Sequence, residues 1–302
     1  MPTRAKFAYD AATAIAQGGR ERQEDSVASD FLAGAGIGFA VLADGMGGHA
    51  AGDMASKIAV TEVFAGLKLW SDAPTRLEPR IRHVLTGVAE EANACIRAYA
   101  ESRPEALGMG ATLLAPVIVE DRLYWVSVGD SPLLLLRAGR LYRLNADHSL
   151  AAELDRMVAA GELSAEEAQR HPDRDCVTSV LTGHEIPLMD CRDAPLTLKA
   201  GDLILATSDG LLALSVREIE TLLSEGRDLS SAALSQQLLA RIEAQDLPEQ
   251  DNVAFCLIRV MPTPVLATAP PPRRRRRLTL WAAGNRRDGL QFDHSIRDGA
   301  AI

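Results

Sequence analysis

Acidic residues stand beside apolar segments at several places in this chain, and a glycine often follows them. A single Asp-Gly pair is typical of a tight turn and indicates no chemistry by itself. At several strand edges together, carboxylates without cations repel one another and raise each other's pKa. Mg²⁺ and Mn²⁺ prefer oxygen ligands and relieve that repulsion, so the pattern predicts a divalent-metal site. Its members are Glu24-Asp25, Asp44, Asp130, Asp209 and Asp251.

The segment LADGMGGHAAGD (42–53) shows this pattern most clearly. Asp44 follows the apolar run 39–43, and Gly45 comes directly after it. Because glycine lacks a Cβ, the Gly45 backbone can adopt a conformation in which its carbonyl oxygen points into the site. The segment therefore offers both a carboxylate and a backbone oxygen to a hard cation.

The first half of the chain contains elements that must position these acids. The apolar run 36–43 predicts a buried strand. Apolar residues then recur every three or four positions, which predicts one helix from residue 53 and a second over 81–99. Four short apolar runs follow, and the turn-sized segments between them predict a meander of antiparallel neighbours. These runs are 111–119, 123–128, 132–137 and 141–144.

The second half opens with the polar segment 147–180, which predicts a surface excursion containing a helix. Ser164 and Glu167 have the spacing of a capping box there, as do Ser215 and Glu218 further on. A block of antiparallel strands between helices predicts an α+β fold with helices packed outside the sheets. The remaining predicted elements are strands over 203–208 and 253–260 and helices from 216 and around 234–242.

The composition limits the classes of partner and compartment. The net charge is −9, and residues 261–302 contain eight arginines against three aspartates, so residues 1–260 carry −14. An acidic body argues against nucleic acid as the main partner. The four cysteines are far apart in sequence and predict free thiols in a reducing compartment. With no apolar run long enough to span a membrane, we expect a cytoplasmic protein.

Six motifs, taken together and in their order along the chain, resemble those of the metal-dependent protein phosphatases of the PP2C type, in their compact bacterial form. The resemblance covers about residues 7–260 and implies an α-β-β-α sandwich of two antiparallel sheets. Any one motif is weak, but six in register are specific. The motifs are RERQEDS (20–26), LADGMGGHAAGDMAS (42–56), MGATLL (109–114), VSVGDSPLLLLR (126–137), LATSDGLL (205–212) and QDNVAF (250–255).

The resemblance also implies roles for individual residues at a centre of two Mn²⁺ or Mg²⁺ ions. Asp44 matches the aspartate that bridges the two ions, and Gly45 the residue that lends its carbonyl to one of them. Asp209 and Asp251 match the other direct ligands of the first ion. Glu24 matches an acid that holds the second ion, largely through water.

Three further residues of the resemblance complete the implied site. Asp25 matches a close neighbour of the second-ion acid, and Asp130 matches the acid that helps to hold a third ion in bacterial members. Arg20 matches the arginine that grips the substrate phosphate, for which its planar guanidinium is suited. The implied reaction is attack on phosphorus by a hydroxide that two ions share and activate.

These expectations define a function and its alternative. We expect hydrolysis of phosphoserine and phosphothreonine in proteins by a monomeric enzyme that opposes a bacterial Ser/Thr kinase. The alternative is a phosphoprotein-binding regulator of low turnover on the same fold. Residues 1–260 would form the phosphatase domain, with 147–180 as its flap. Residues 261–302 would form a disordered Pro/Arg-rich tail, whose arginines are either solvated or in weak contact with an acidic partner.

Two histidines also fall near these motifs. His49 lies within the glycine-rich segment and His148 at the start of the polar segment. For both we expect a hydrogen-bonded structural role rather than a catalytic one.

Overall fold

The fold is defined over residues 6–32, 35–47, 50–71 and 73–263, which are the residues that the computed structural model describes. His49 lies outside the described residues, and so does the predicted tail from residue 264 onward. The expectations for His49 and for the tail therefore stay predictions.

The described chain contains twelve strands, and ten of them belong to two antiparallel sheets. The strands are β1 (Phe7–Ala16), β2 (Ser26–Asp30), β3 (Ile37–Ala43), β4 (Gly45–Met46), β5 (Gly110–Ala111), β6 (Leu113–Val119), β7 (Arg122–Val128), β8 (Leu133–Arg137), β9 (Arg140–Arg143), β10 (Asp190–Thr197), β11 (Leu203–Thr207) and β12 (Val253–Pro262).

Helices occupy three stretches between these strands. The α-helices are α1 (Ala50–Lys68), α2 (Pro74–Leu77), α3 (Ile81–Glu101), α4 (Leu150–Ala160), α5 (Ala165–Gln169), α6 (Val216–Glu225) and α7 (Ser231–Glu243). Short 3-10 turns lie at Glu78–Arg80, Pro104–Ala106, Asp209–Ala213 and Gly226–Asp228. Among the described residues, no helix combines the length and the apolar character that a membrane span needs.

The two sheets hold five strands each. The first has the order β1-β12-β11-β8-β9, and the second has the order β10-β7-β6-β3-β2. β4 and β5 form a separate two-stranded ladder. Every pairing between these strands is antiparallel.

Three apolar cores separate four layers. Along β3, Phe39 and Val41 pack with residues of α1 and α3, whereas Ala40 and Leu42 pack with residues of the first sheet. This alternation follows from the two-residue period of a strand, and it explains why β3 is apolar throughout. A third core joins the first sheet to α6 and α7. The predicted α-β-β-α sandwich is confirmed.

The predicted four-strand meander is wrong at its centre. β6 pairs with β7 and β8 pairs with β9, but β7 and β8 belong to different sheets. The chain crosses between the sheets at 129–132. A few residues can span the roughly 10 Å between packed sheets as easily as they can turn a hairpin. Gly129 has a φ of 107°, and Pro132 has no N–H for a continuing ladder.

The helix signals of the sequence match the structure well. Ser164 with Glu167, and Ser215 with Glu218, form complete capping boxes at the starts of α5 and α6. The first helix begins at Ala50 rather than at residue 53. The strands β1, β2 and β10 were not predicted. They carry many small or polar residues, and their burial is partial.

Candidate metal centre

The predicted acids lie where strands of both sheets end or begin. Asp44 directly follows β3, Asp130 lies in the crossing from β7 to β8, and Asp209 follows β11 at the start of a 3-10 turn. Asp25 directly precedes β2, and Asp251 lies just before β12. The carboxylates of Asp25, Asp130, Asp209 and Asp251 all act electrostatically on that of Asp44. The fold therefore brings together acids that are far apart in sequence.

Burial and mutual repulsion make this group of carboxylates hard to ionise. Burial, followed by the charge of Asp25, raises the pKa of Asp44 well above its usual value. Burial raises the pKa of Asp25 to about 7, although the Ser208 hydroxyl donates to its Oδ2 at 2.7 Å. Burial and the charge of Asp209 raise the pKa of Asp130 to about 6. These are the shifts expected of clustered carboxylates in a desolvated site.

A hard divalent cation fits the donor chemistry of this group. Oδ1 of Asp209 is buried and accepts no hydrogen bond, which leaves a carboxylate oxygen free for a ligand. Within the described ranges, however, no three acidic, histidine or cysteine side chains already have the arrangement of a metal site. The carboxylates would thus have to rotate toward a common cation, which would also relieve their repulsion.

Gly45 begins the short strand β4 and is tightly packed. Its N–H donates to the Glu24 carbonyl at 3.1 Å. A Cβ at Gly45 would lie 2.1 Å from the Gly52 carbonyl oxygen and 2.7 Å from the Glu24 carbonyl oxygen. At Gly52, a Cβ would lie 2.9 Å from the Glu24 carboxyl carbon. Glycine is therefore required here because three backbone segments approach one another, a reason that the sequence alone did not reveal.

Arg20 lies at the open side of the acid group. Its Nη2 donates to Asp251 Oδ2 at 2.6 Å. Both side chains are partly exposed, so the pair faces a cleft of about 620 Å³. The cleft brings a cationic side chain beside the acids, as phosphate binding requires. It is lined by Arg20, Glu21, Arg22, Glu24, Asp44, Gly45, Met46, Gly47, Asp251 and Asn252.

Comparison with known proteins identifies the family. A family model described as "Protein phosphatase 2C" matches residues 16–250. The chain belongs to the protein phosphatase 2C family. The matched range includes every predicted site residue except Asp251, which directly follows it.

Several bacterial proteins resemble this protein phosphatase 2C chain. It is 37% identical over 198 residues to "Serine/threonine protein phosphatase PstP" of Mycobacterium tuberculosis, which covers 64% of this chain and 34% of PstP. The chain thus matches about a third of the length of that relative. A solved serine/threonine phosphatase of S. agalactiae matches 84% of this chain and 99% of its own, with a TM-score of 0.70 and 30% identity.

A further solved structure is described as the catalytic domain of PstP in complex with two manganese ions. The match covers 84% of this chain and 99% of the PstP catalytic domain, with a TM-score of 0.62 and 31% identity. The similarity therefore extends over nearly the whole of a metal-containing catalytic domain.

Sequence reasoning missed the residues that hold the acids of this protein phosphatase 2C in place. Asn252 accepts from the Glu24 N–H at 2.7 Å and donates to the carbonyls of Gln17 and Arg22. Ser208 donates to Asp25 and accepts from the Ala254 N–H at 3.0 Å. Both lie next to a predicted acid within a quoted motif, so a polar neighbour of the acid was the available signal.

His148 is hydrogen-bonded within the fold, as expected. Its Nδ1 accepts from the Gly129 backbone N–H at 3.1 Å, and the His148 backbone N–H donates to the Gly129 carbonyl. Burial lowers its pKa. The structure thus places His148 as a structural partner of the crossing between the sheets.

The polar segment 147–180 contains α4 and α5, and its two ends pair with each other. Ser149 forms a bridge with Val177 near its base. Just beyond its end, Leu181 pairs with Ala111, which itself pairs with Gly45. The segment therefore returns to the body beside Gly45.

Proposed function

We propose that this protein phosphatase 2C removes phosphate from phosphoserine and phosphothreonine in proteins with the help of Mn²⁺ or Mg²⁺. The observation that carries the proposal is the buried group of carboxylates around Asp44, with Arg20 at its open side. Relatives described as serine/threonine protein phosphatases, one of them in complex with two manganese ions, support it.

Each predicted acid has a proposed role at this centre. When bound, two ions would lower the pKa of a shared water and neutralise phosphate charge. Asp130 would help to hold a third ion. The residues proposed to hold the first two ions are Asp44, the Gly45 carbonyl, Asp209 and Asp251 for the first, and Asp44 and Glu24 for the second, with Asp25 beside them.

Arg20 is proposed to bind the phosphate group. Its guanidinium presents several N–H donors in one plane, which match two oxygens of a phosphate. In the structure one of these nitrogens already contacts a carboxylate oxygen, of Asp251. Substrate binding would therefore exchange this carboxylate for phosphate oxygens, or share the guanidinium between them.

The pKa values of three of the four cysteines favour water over these thiols as the nucleophile. Burial raises the pKa of Cys191 to about 11 and that of Cys256 to about 12. Burial also raises the pKa of Cys95. Because the thiolate is the reactive form, these three groups are poor nucleophiles at neutral pH. Phosphoryl transfer at this site would then depend on positioning and charge neutralisation.

Release of phosphate from a phosphothreonine peptide tests the proposal. The purified wild-type chain is assayed with Mn²⁺ and with Mn²⁺ plus EDTA, and the Asp209→Asn variant is assayed with Mn²⁺. We expect phosphate release only from the wild type with Mn²⁺ and no EDTA. Peptide binding without release in all three samples would instead support the regulator of low turnover.

The remaining assignments are also proposals. We infer a monomer that opposes a Ser/Thr kinase in the cytoplasm, with residues 1–260 as the phosphatase domain and 147–180 as its flap. The four free cysteines support a reducing compartment. Light scattering on a sizing column tests the monomer. Phosphoproteomics of a strain that lacks this protein tests which kinase it opposes. Restoring either the full chain or residues 1–260 to that strain then tests the role of the tail 261–302.

A further inference from the structure

Thr112 holds both backbone groups of Asp44. The Asp44 N–H donates to Thr112 Oγ1 at 2.9 Å, and the Thr112 N–H donates to the Asp44 carbonyl at 2.8 Å. Thr112 lies between β5 and β6 and is 3% exposed, so water hardly competes for these bonds. The backbone position of Asp44 is therefore set largely by a residue outside the acid group.

The same hydroxyl contacts the crossing that carries Asp130. Thr112 Oγ1 lies 3.0 Å from Ser131 Oγ, and either hydroxyl can donate. A threonine hydroxyl has one proton and two lone pairs, so it can accept from Asp44 and still pair with Ser131. Ser131 is 2% exposed and directly follows Asp130. One buried hydroxyl thus joins the backbone of Asp44 to the side chain that directly follows Asp130.

The crossing itself has little freedom around Thr112. A Cβ at Gly129 would lie 2.7 Å from Thr112 Cβ and Cγ2. On the other side, Asn145 Nδ2 donates to the Ser131 carbonyl at 3.0 Å, and its Oδ1 accepts from the Leu133 N–H at 2.8 Å. Thr112 Oγ1 therefore meets a turn that packing and hydrogen bonds already fix.

We propose that Thr112 is a positioning residue of the metal centre. Its hydroxyl keeps the backbone of Asp44 at a fixed distance from the turn of Asp130, so that both carboxylates can reach the cations. The inference rests on the proposed function, because it assigns Thr112 a role toward the ions of that site. Residues that orient ligands in this way contribute to metal affinity without touching the metal.

A purely structural role for Thr112 makes a different prediction. A buried hydroxyl with satisfied hydrogen bonds stabilises a fold wherever it lies. In that case its loss would lower the melting temperature but leave the Mn²⁺ affinity of the folded chain unchanged. Metal affinity, measured below the melting transition, therefore separates positioning from stability.

The test is isothermal titration of the full chain with Mn²⁺. Thr112→Val keeps the shape of the side chain and removes the hydroxyl, whereas Thr112→Ser keeps the hydroxyl. We expect Thr112→Val to weaken Mn²⁺ binding by about 10- to 100-fold, and Thr112→Ser to recover most of that loss. Equal affinity in the wild type and Thr112→Val overturns the proposal, and so does a Thr112→Ser variant as weak as Thr112→Val.

Two further variants complete the design. Ser131→Ala keeps both bonds between Asp44 and Thr112 but cuts the link to the Asp130 turn, and it decides the matter if Thr112→Val does not fold. We expect it to weaken Mn²⁺ binding, and unchanged affinity overturns the link. Ser231→Ala is the matched control, since it removes a buried hydroxyl at the start of α7 that donates to the Asp10 carbonyl at 2.6 Å and contacts none of the predicted site acids.

The outcome for the wild type separates the two proposals. A wild-type chain that binds no Mn²⁺ overturns the proposed function and this inference with it. A wild-type chain that binds Mn²⁺ as tightly as Thr112→Val overturns the role of Thr112 alone.

Discussion

Arg20 and Asp251 form an ion pair of 2.6 Å between Nη2 and Oδ2, although 231 positions separate them in sequence. The side chains are 56% and 41% exposed, so solvent screens the pair and its net contribution to stability is small. The pair matters because a cation and a phosphate group would each compete with it for one of its two side chains. The same carboxylate is proposed to bind a cation, and the same guanidinium is proposed to bind phosphate.

Replacing Arg20 should impair catalysis without impairing metal binding. A hydrogen bond to a charged group contributes about 1.5–3 kcal/mol, so Arg20→Ala should lower kcat/KM by about 10- to 100-fold. Arg20→Lys keeps the charge but loses the planar guanidinium, so its kcat/KM should lie between those of the wild type and Arg20→Ala. Steady-state assays with a phosphothreonine peptide measure the loss.

Titration with Mn²⁺ provides the second measurement on Arg20→Ala. Its metal affinity should stay equal or rise, because Asp251 loses its competing partner. Arg22→Ala, in the same cleft, is the control and should lose less activity. Weaker Mn²⁺ binding in Arg20→Ala than in the wild type would contradict the competition.

Asp209→Asn should abolish nearly all turnover while the chain stays folded. The amide has almost the shape of the carboxylate, and loss of the charge reduces repulsion with Asp251 and Asp44. In EDTA the variant should therefore melt at the same temperature as the wild type or higher. Assays of phosphate release and thermal unfolding check both points. A variant with the wild-type rate would show that the site lies elsewhere.

The sequence predicted the strand-edge positions of these acids, because apolar runs and acidic residues are local signals, while their roles as metal ligands stay predictions. It could not predict that 129–132 crosses between the sheets, since a short connection is compatible with either path. The sequence also could not predict the role that we propose for Thr112. Its hydroxyl acts through partners that are 68 and 19 positions away, and only the folded chain brings these together.

The metal-free chain should lose stability as the pH rises. The folded-state pKa is about 7 for Asp25 and about 6 for Asp130, above the value of about 4 for an unfolded aspartate. Between these values the folded state binds more protons than the unfolded state, so the free energy of unfolding falls with pH. Their stabilising effect is complete below the unfolded pKa and is lost through the folded pKa.

Urea unfolding in EDTA across the range from about pH 5 to about pH 7 measures this dependence. Asp25→Asn should flatten it, because the amide does not titrate. Saturating Mn²⁺ should reverse it, since cation binding displaces protons from the carboxyls and strengthens as the pH rises. A stability in EDTA that stays constant or rises over the range would contradict the raised pKa values.

Gly45→Ala should destabilise the chain and weaken its Mn²⁺ binding. The new Cβ would meet the carbonyl oxygens of Gly52 and Glu24, which are backbone atoms and cannot rotate away. Overpacking of this kind costs about 1–3 kcal/mol. The loop that carries Asp44 would have to shift to make room, so urea unfolding and Mn²⁺ titration should both change.

Gly87→Ala is the matched control for that substitution. Gly87 lies inside α3, and a Cβ there meets no atom within 4 Å. Alanine at such a site should stabilise the helix by about 0.4–1 kcal/mol, because it restricts the unfolded chain. Mn²⁺ affinity should not change in this control. If both alanine variants unfold at the same urea concentration, the close approach of the three backbone segments at Gly45 does not require glycine.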